Sequence, residues 1–301
     1  MYGLAEYLET RSSIIRFLEE DIGLGDITTN SIISADKVVN AVIRCNDSKE
    51  TITCGLHEAQ IVFDVCNCSA ILFIQDGCNV KKDDIVMHIR GGARSVLKAE
   101  RTALNLIMRM SGIATLTRSF VNLVGKCYPN VKIAGTRKTA PGLRFFDKKA
   151  ITTGGGYPHR MGLDDMVLIK DNHLAISDSI DKSIRMAKAN LGSAVRIECE
   201  VKNTEEALCA AKAGANVIMF DNFTPSEAQI GVKAIRALEA LEDIEIELSG
   251  GITLDNIIDY VKAQPDYISV GHLTHSPAAV DYSLEIVDNR EANKIGHHIP
   301  T

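Results

Sequence analysis

Cationic side chains are concentrated between residues 132 and 173, where they flank a run of three glycines. This stretch has eight Lys or Arg residues against four Asp residues, whereas the whole chain has a formal net charge of −6. Such a local excess of positive charge predicts a pocket for a small polyanion, because a nucleic-acid surface would need a broad basic face. The residues concerned are Arg137, Lys138, Arg144, His159, Arg160 and Lys170.

Arginine and lysine hold an anion in two different ways. The guanidinium groups of Arg137 and Arg160 can each grip a carboxylate or phosphate with two parallel hydrogen bonds, while the ammonium group of Lys170 is a mobile point charge. This combination favours a ligand with several acidic groups. The alternative is that these cations form ordinary ion pairs with nearby carboxylates. Those carboxylates are Asp147, Asp164, Asp165 and Asp171.

Two carboxylates, Glu200 and Asp221, end two successive predicted strands. Carboxylates that face an anion site repel the anion unless a divalent cation bridges them, and Mg²⁺ commonly uses one or two carboxylates together with substrate phosphates. The pair therefore indicates magnesium with a polyphosphate. Hydrogen bonding of the two carboxylates to ribose hydroxyls, or pairing with Lys138, explains the same residues and stays open.

Glycines occupy the last two predicted strand-to-helix turns, at Ser249–Gly250–Gly251 and at Gly271. Glycine lets backbone N–H groups approach a phosphate at a helix N-terminus, and late turns of (β/α) barrels often bind phosphate in this way. Tight turns need glycine in any case, so the prediction depends on where these turns lie. The sequence has no Ser-His-Asp order, P-loop or H-E-x-x-H, and so indicates charge stabilisation rather than covalent catalysis.

Six apolar runs alternate with amphipathic helical stretches in the second half of the sequence. This alternation predicts a parallel sheet covered by helices, and favours an incomplete TIM-like (β/α) barrel; a doubly wound open sheet is the alternative. Polar residues follow nearly every run, and a barrel would collect them at one face, where such enzymes place their chemistry. The predicted strands span residues 131–136, 166–170, 195–201, 217–220, 244–249 and 267–271.

The first 112 residues are predicted to form a separate N-terminal mixed α/β sandwich domain. β-rich runs fill residues 38–91, with a helix at 4–20 and a short helix that begins at His57. A strong helix is predicted over 93–112, and Gly112 is expected to end it. The barrel domain then covers 113–276, and a C-terminal helix over 277–292 is expected to pack back on the first domain.

Composition narrows the class of protein. No apolar run approaches the roughly 20 residues of a membrane span, and the N-terminus lacks a signal-peptide core, so we expect a cytoplasmic protein without a membrane partner. The eight cysteines include one C-x-C motif without a matching second pair, which indicates reduced thiols rather than a zinc site.

Short blocks of the sequence resemble the quinolinate phosphoribosyltransferases, a family of type II phosphoribosyltransferases also called carboxylating nicotinate-nucleotide pyrophosphorylases. The match runs in order from about Glu19 to Ser276, and the combination of TRKT, GGGxxHR and LIKDNH is specific as a set. The blocks are EEDIGLGDITT, ERTALN, SGIAT, GTRKTAPGLR, KKAITTGGGYPHR, LIKDNH, LSGGI and DYISVGHLTHS.

The resemblance implies that quinolinate takes the phosphoribosyl group of 5-phosphoribosyl-1-diphosphate, with loss of pyrophosphate and carbon dioxide, to give nicotinate mononucleotide. It implies Mg²⁺ as cofactor, held at Glu200 and Asp221 directly or through water. It also implies a homo-oligomer, at least a dimer, in which Arg101 reaches the site of the neighbouring subunit. The residues expected to bind quinolinate are Arg101, Arg137, His159, Arg160 and Lys170. The residues expected to contact the diphosphate sugar are Lys138, Lys170, Glu200, Asp221, Ser249, Gly250, Gly271 and His275.

Three other functions compete with this interpretation. A molybdenum-transport-associated branch shares the TRKT and GGGxPHR blocks but is expected to diverge at LIKDNH, and nicotinate phosphoribosyltransferase would release no carbon dioxide. A silent anion-binding paralogue would have no need for Lys138, Lys170, Glu200 and Asp221 together. His272 replaces the small residue usual in G-x-L-T-H-S, and is expected either to add a donor or to narrow the phosphate turn.

Overall fold

The structure is a computed structural model that describes residues 3–177, 179–192, 194–238 and 243–288. The chain divides into two compact units: residues up to Thr115 and from Pro277 onward form the first, and Leu116–Ser276 forms the second. The first unit is therefore built from two separate stretches of chain. None of the described helices has the length and apolar character needed to cross a bilayer.

The described helices and strands follow one another in two different patterns, β-rich at first and then strictly alternating. In chain order they are α1 (Leu4–Ile22), α2 (Ile27–Ile32), β1 (Val38–Cys45), β2 (Thr51–Ile52), α3 (Leu56–Val65), β3 (Ser69–Leu72), β4 (Asn79–Val80), β5 (Ile85–Gly92), α4 (Ala93–Gly125), β6 (Lys132–Ala134), α5 (Arg144–Thr153), β7 (Val167–Ile169), α6 (Asp171–Leu174), α7 (Ile180–Leu191), β8 (Ile197–Val201), α8 (Thr204–Ala213), β9 (Val217–Asp221), α9 (Pro225–Arg236), β10 (Glu245–Ser249), α10 (Ile257–Val261), β11 (Tyr267–Ser269), α11 (His272–His275) and β12 (Tyr282–Val287).

The first unit is organised around a four-stranded antiparallel sheet in the order β12-β1-β5-β3, beside a two-stranded ribbon of β2 and β4. The central strand β1 buries Ala41, Val42 and Ile43 completely, and α3 buries Leu56 and Phe63. The short helix predicted from His57 onward corresponds to α3. The prediction of a mixed α/β domain at the N-terminus is confirmed.

The C-terminal stretch is a strand where a helix was expected over 277–292. Tyr282–Val287 forms β12, which pairs antiparallel with residues 40–45 of β1. The helical prediction is wrong because this stretch is rich in β-branched and aromatic residues, and β1 offers an unpaired edge that β12 completes. Residues 289–292 of the predicted helix lie outside the described residues.

Gly112 lies inside α4, which continues to Gly125 over 33 residues, so the expected helix end at Gly112 is wrong. A side chain at position 112 would collide with the carbonyl oxygen of Ala278. Nearby, the backbone N–H of Val280 donates to the carbonyl of Met108 over 3.1 Å. The glycine therefore serves the close approach of a second backbone segment, and it does not interrupt the helix.

Replacing Gly112 with alanine should destabilise the first unit by about 1–3 kcal/mol, because the new methyl group overpacks against backbone that cannot move aside cheaply. Urea unfolding followed by circular dichroism measures this loss. Gly125→Ala in the same helix is the matched control, since a side chain there meets nothing within 4 Å. Equal stability of the two variants would contradict the close-approach explanation.

The second unit is a six-stranded parallel sheet in the order β6-β11-β10-β9-β8-β7. All six strands predicted from the sequence are present, each followed by a helix. From β7 to β11 every strand lies beside the next one in the chain, as in a (β/α) barrel, whereas a doubly wound sheet reverses its order at a switch point. The prediction of an incomplete barrel is confirmed.

Candidate active site

The acidic end of the candidate site lies where β8, β9 and β10 finish. Side chains alternate along a strand, so Glu198 and Glu200 project from the same face of β8. Asp221 and Ser249 are register partners at the ends of β9 and β10. Lys170, which follows β7, donates from Nζ to Oε2 of Glu200 over 2.5 Å. The parallel sheet thus brings four of the predicted residues to one edge, the acidic edge, which consists of Lys170, Glu200, Asp221 and Ser249.

The two carboxylates of this edge act on each other electrostatically. Burial and the charge of Glu200 raise the pKa of Asp221, and the charges of Lys170 and Lys138 partly offset that rise. Carboxylates that repel each other while lysines lie nearby match the donor set that Mg²⁺ uses with a phosphate substrate. Lys170 does not pair with Asp171 but with Glu200, so the ion-pair alternative for Lys170 is wrong in its partner.

Asn222 is a member of this edge that sequence reasoning missed. Its Nδ2 donates to Oδ2 of Asp221 over 2.6 Å, and its backbone N–H donates to the carbonyl of Ser249 over 2.9 Å. The residue has φ 57°, and Gly250 has φ 100° with no room for a side chain beside Asn222. The Asp-Asn pair was a usable signal, because asparagine is one of the few residues that enters the left-handed region readily.

A second group of predicted residues meets at the turn after β11. The carbonyl oxygen of Lys138 accepts a hydrogen bond of 2.9 Å from Oγ1 of Thr274. A side chain at Gly271 would lie 3.1 Å from Cδ of Lys138 and 3.3 Å from Cδ2 of His275, so glycine leaves these two side chains room that a larger residue would reduce. His272 is exposed, and its ring meets that of His275 edge-on at 5.5 Å.

The two guanidinium groups of the predicted site lie near each other, and neither forms an ion pair within the described ranges. Arg160 is only 8% exposed, and its Nη1 donates a 3.4 Å hydrogen bond to the carbonyl of Met166. Burial and the charge of Arg137 lower the pKa of Arg160, while Glu198, Asp165 and Glu247 oppose this effect. Nε of Arg137 is buried and has no hydrogen-bond partner among the described residues.

This placement decides against ordinary ion pairs for the two arginines. Within the described ranges neither Arg137 nor Arg160 lies within 4.0 Å of a carboxylate oxygen. The charges of Glu198, Asp165 and Glu247 offset only part of the burial and repulsion that act on Arg160, so an added anion would stabilise the two cations. The geometry is therefore suited to bind an acid.

His159 lies deeper in the barrel than its predicted role requires. Its Nε2 is 3.1 Å from Oε2 of Glu247 and 3.3 Å from Oε2 of Glu198, while Nδ1 accepts the backbone N–H of Arg160 over 2.8 Å. Burial disfavours the charged imidazole, but the two glutamates outweigh it and raise the pKa of His159. The direct contact of His159 with quinolinate stays a prediction, and both of its ring nitrogens already have protein partners.

Lys148 is a buried cation that the sequence did not single out. It lies on α5 with 2% of its surface exposed, and its Nζ donates to the carbonyl of Pro158. Burial, followed by the charges of Arg144 and Arg160, lowers the pKa of Lys148 to about 8. Because Lys148 and Lys149 are adjacent, the sequence alone could not tell which of the two turns inward.

The lowered pKa makes the stability of the protein depend on pH. The folded pKa is about 8, whereas an unfolded lysine titrates near ~10.4, so between these values the unfolded chain binds more protons and stability rises with pH. The free energy of unfolding should increase by roughly 3 kcal/mol from this group alone. We expect Lys148→Met to be free of that increase when urea unfolding at pH 7 and pH 10 is compared with the wild type. Lys233→Met, at an exposed position of α9, should retain it.

Arg101, the remaining predicted residue, is exposed on α4 in the first unit. Within the second unit, the structure brings the other predicted residues into three neighbourhoods. These are Lys170 with Glu200, Asp221, Ser249 and Gly250; Lys138 with Gly271 and His275; and Arg137 with Arg160 and His159.

Comparison with known proteins identifies the family. Residues 26–111 match the N-terminal domain of quinolinate phosphoribosyl transferase, and residues 113–285 match its C-terminal domain. A probable nicotinate-nucleotide pyrophosphorylase (carboxylating) from Methanocaldococcus jannaschii is 43% identical over 272 residues, which cover 90% of this chain and 94% of the relative.

Solved structures agree in fold over nearly the whole chain. The nicotinate-nucleotide pyrophosphorylase from Ehrlichia chaffeensis superposes with a TM-score of 0.85 at 33% identity, covering 95% of this chain and 99% of the other. The enzyme of the same name from Francisella tularensis gives 0.84 at 34% identity, with 92% and 96% covered. With both family domains matched in order and the same architecture in these structures, the chain belongs to the quinolinate phosphoribosyl transferase family.

Proposed function

We propose that this protein transfers the phosphoribosyl group of 5-phosphoribosyl-1-diphosphate to quinolinate and decarboxylates the product to nicotinate mononucleotide, a step of NAD biosynthesis. The observation that carries the proposal is the pair of guanidinium groups, Arg137 and Arg160, which repel each other and, within the described ranges, have no carboxylate oxygen within 4.0 Å. A diacid such as quinolinate supplies the missing negative charges, one carboxylate for each arginine. Family membership and the names of the relatives support the same reaction.

The acidic edge is proposed to hold the diphosphate sugar beside the diacid. Glu200 and Asp221 would bind Mg²⁺ directly or through water, and the ion would neutralise charge on the departing pyrophosphate. Lys138 and Lys170 would contact the phosphate oxygens, and their positions beside the two carboxylates support this role. The remaining proposed phosphate contacts are Ser249, Gly250, Gly271 and His275.

The reaction needs positioning and charge stabilisation more than acid–base chemistry. The pyridine nitrogen attacks C1 of the sugar as the bond from C1 to the pyrophosphate oxygen breaks, through a state with oxocarbenium character. The new pyridinium ring then accepts the electron pair left when the adjacent carboxylate departs as carbon dioxide, and that ring carbon takes a proton from water. Arg137 and Arg160 therefore have to orient the diacid, and Lys170 has to meet the growing negative charge.

Carboxylate recognition also accounts for selectivity among pyridines. Neutral nicotinamide would leave both guanidinium groups unpaired, and nicotinate would leave one of them unpaired. A buried charge without its partner is costly, so both analogues should bind more weakly than quinolinate.

The decisive experiment incubates the purified protein with quinolinate, 5-phosphoribosyl-1-diphosphate and Mg²⁺ while carbon dioxide and nicotinate mononucleotide are measured. Both products should appear in equal amounts. If the mononucleotide forms only when nicotinate replaces quinolinate, and without carbon dioxide, the protein catalyses nicotinate phosphoribosyl transfer instead. Absence of both products with a correctly folded protein would reject the proposal.

The site is further proposed to be shared between subunits of a homo-oligomer, at least a dimer, with Arg101 reaching the neighbouring barrel. Arg101→Ala should therefore be inactive alone but regain activity when mixed with a barrel variant such as Glu200→Ala, because one of the hybrid sites carries neither change. The measurement is product formation after the two variants are unfolded and refolded together. A mixture that forms no more product than the two variants alone would count against a shared site.

We place the reaction in the cytoplasm. None of the eight cysteines, all of which are described, forms a disulfide, as is usual for proteins of reducing compartments.

A further inference from the structure

Two fully buried glutamates face each other inside the barrel, one layer below the acidic edge. Glu198 on β8 is 0% exposed and Glu247 on β10 is 1% exposed. The strand β9 lies between them in the sheet, so the two side chains meet across the barrel interior. Neither oxygen of Glu198 and only one oxygen of Glu247 makes a hydrogen bond within the described residues. Burying carboxylates with so few hydrogen bonds costs free energy, which indicates that they have a functional role.

The group that both glutamates contact is the imidazole of His159. Its Nε2 is 3.1 Å from Glu247 and 3.3 Å from Glu198. In the neutral ring, Nδ1 accepts the backbone N–H of Arg160 over 2.8 Å, so the single ring proton lies on Nε2, facing the carboxylates. The same imidazole therefore connects the two glutamates to the peptide group that carries Arg160.

The backbone at His159 needs this support. The residue has φ 56°, in the left-handed region, which only a few per cent of non-glycine residues adopt. Strained backbone of this kind persists where surrounding contacts fix it. Here the fixing contacts are the glutamates on one ring nitrogen and the Arg160 amide on the other.

We propose that Glu198 and Glu247 are positioning residues, which hold His159 and through it set the direction in which the Arg160 guanidinium meets a substrate carboxylate. The proposal rests on the proposed function of Arg160 in binding the diacid. It gives His159, beside its predicted contact with quinolinate, a second role that acts through the Arg160 backbone. The negative charges of Glu198 and Glu247 also stabilise the buried, charged guanidinium of Arg160 before the substrate binds.

The same three side chains also have the composition of a metal site, since their ligand atoms lie within 4.8 Å of one another. The charges around them argue against a cation. Arg160 interacts with both glutamates, and the buried Lys148 interacts with Glu247, so the local negative charge already has cationic partners. A bound divalent cation would have to compete with them.

The test compares Glu247→Gln with Glu245→Gln, a matched control on the same face of β10 whose carboxylate pairs with Arg196. Glu247→Gln should raise the KM for quinolinate about tenfold and leave the KM for 5-phosphoribosyl-1-diphosphate within about twofold. The reason is that a misplaced Arg160 guanidinium weakens the binding of quinolinate alone. Glu245→Gln should leave both KM values unchanged. Equal effects on the two KM values, or no effect of Glu247→Gln, would overturn the proposal. Glu198→Gln replaces Glu247→Gln if the latter does not fold.

A double-mutant cycle tests whether Glu247 acts through His159. If the glutamate acts through His159, the quinolinate KM of the double variant His159→Gln/Glu247→Gln should equal that of His159→Gln alone. Independent, multiplying effects would overturn the proposal. Elemental analysis of the purified wild type should find no stoichiometric transition metal, and finding one that Glu247→Gln removes would replace positioning by metal binding.

Nitrogen-15 NMR of the histidine rings provides a measurement that does not depend on the enzyme's substrate. The His159 signal, assigned by its loss in His159→Gln and recorded above pH 9, where the imidazole is neutral, should show the tautomer with the proton on Nε2. The other tautomer would overturn the positioning proposal even if the enzyme is active. Failure of the wild type to convert quinolinate, with the Nε2–H tautomer present, would instead reject the proposed function and retain the His159 geometry.

Discussion

Arg137→Ala should lower kcat/KM for quinolinate by about 10²–10³-fold, with a higher KM and a lower kcat, while the protein stays folded. The reason is that the arginine side chain is half-buried, forms no ion pair within the described residues and lies near another cation. A substrate carboxylate would therefore be its main ionic partner. Removing one partner of a desolvated charge pair costs about 2–5 kcal/mol, and each 1.4 kcal/mol is about tenfold. Steady-state kinetics with quinolinate varied at saturating 5-phosphoribosyl-1-diphosphate measure the loss.

A second arginine of the same unit offers the matched control. Arg185 is exposed on α7, where it pairs with Asp181 one helical turn away. Arg185→Ala removes the same charge and the same number of atoms, and should change kcat/KM by less than about twofold. Unchanged kinetics of Arg137→Ala would remove Arg137 from the site, and similar losses in both variants would indicate a general charge effect.

Glu200→Gln should lower kcat/KM for 5-phosphoribosyl-1-diphosphate by about 10²-fold and raise the Mg²⁺ concentration needed for half-maximal rate. The substitution keeps the shape of the side chain but removes one of two carboxylates at the acidic edge, together with the ion pair to Lys170. The pKa of Asp221 should also fall, because the charge of Glu200 contributes to its rise. Initial rates over a Mg²⁺ titration measure the main effect.

The same variant separates magnesium binding from the alternative that the carboxylates hydrogen-bond ribose hydroxyls. A glutamine oxygen can still accept a hydrogen bond from a hydroxyl, so an unchanged Mg²⁺ requirement with a small loss of rate would favour ribose contact. Glu205→Gln, at an exposed position on α8, is the control for a lost charge nearby and should behave as the wild type.

The barrel could be predicted from the sequence because its strands are apolar throughout and separated by amphipathic helices with clear end signals. Thr224, for example, caps α9 with Glu227, and Pro225 occupies the first turn. These signals are local, so short segments are enough to read them. The two failures, at Gly112 and at β12, both involve partners distant in the sequence, since Ala278 explains the glycine and β1 explains the strand.

The candidate site was predictable to the extent that it follows the ends of strands. Register fixes Asp221 beside Ser249, and parallel strands bring Glu200 to the same edge. The deeper residues, Glu198 and Glu247, were not predictable. A carboxylate in the middle of a strand gives no sign of which charge it will face, because its partner His159 comes from a loop much earlier in the chain.

The discontinuous first unit has a consequence for biosynthesis. Strand β12 is translated after the entire barrel. Until then, the edge of β1 that includes the apolar residues Ala41, Val42 and Ile43 has no partner strand. The nascent chain must therefore keep that edge from pairing with other polypeptides while more than half of the protein is still being made. A chain that stops at Ser276 would never close it, and should aggregate even though every residue of the acidic edge is present.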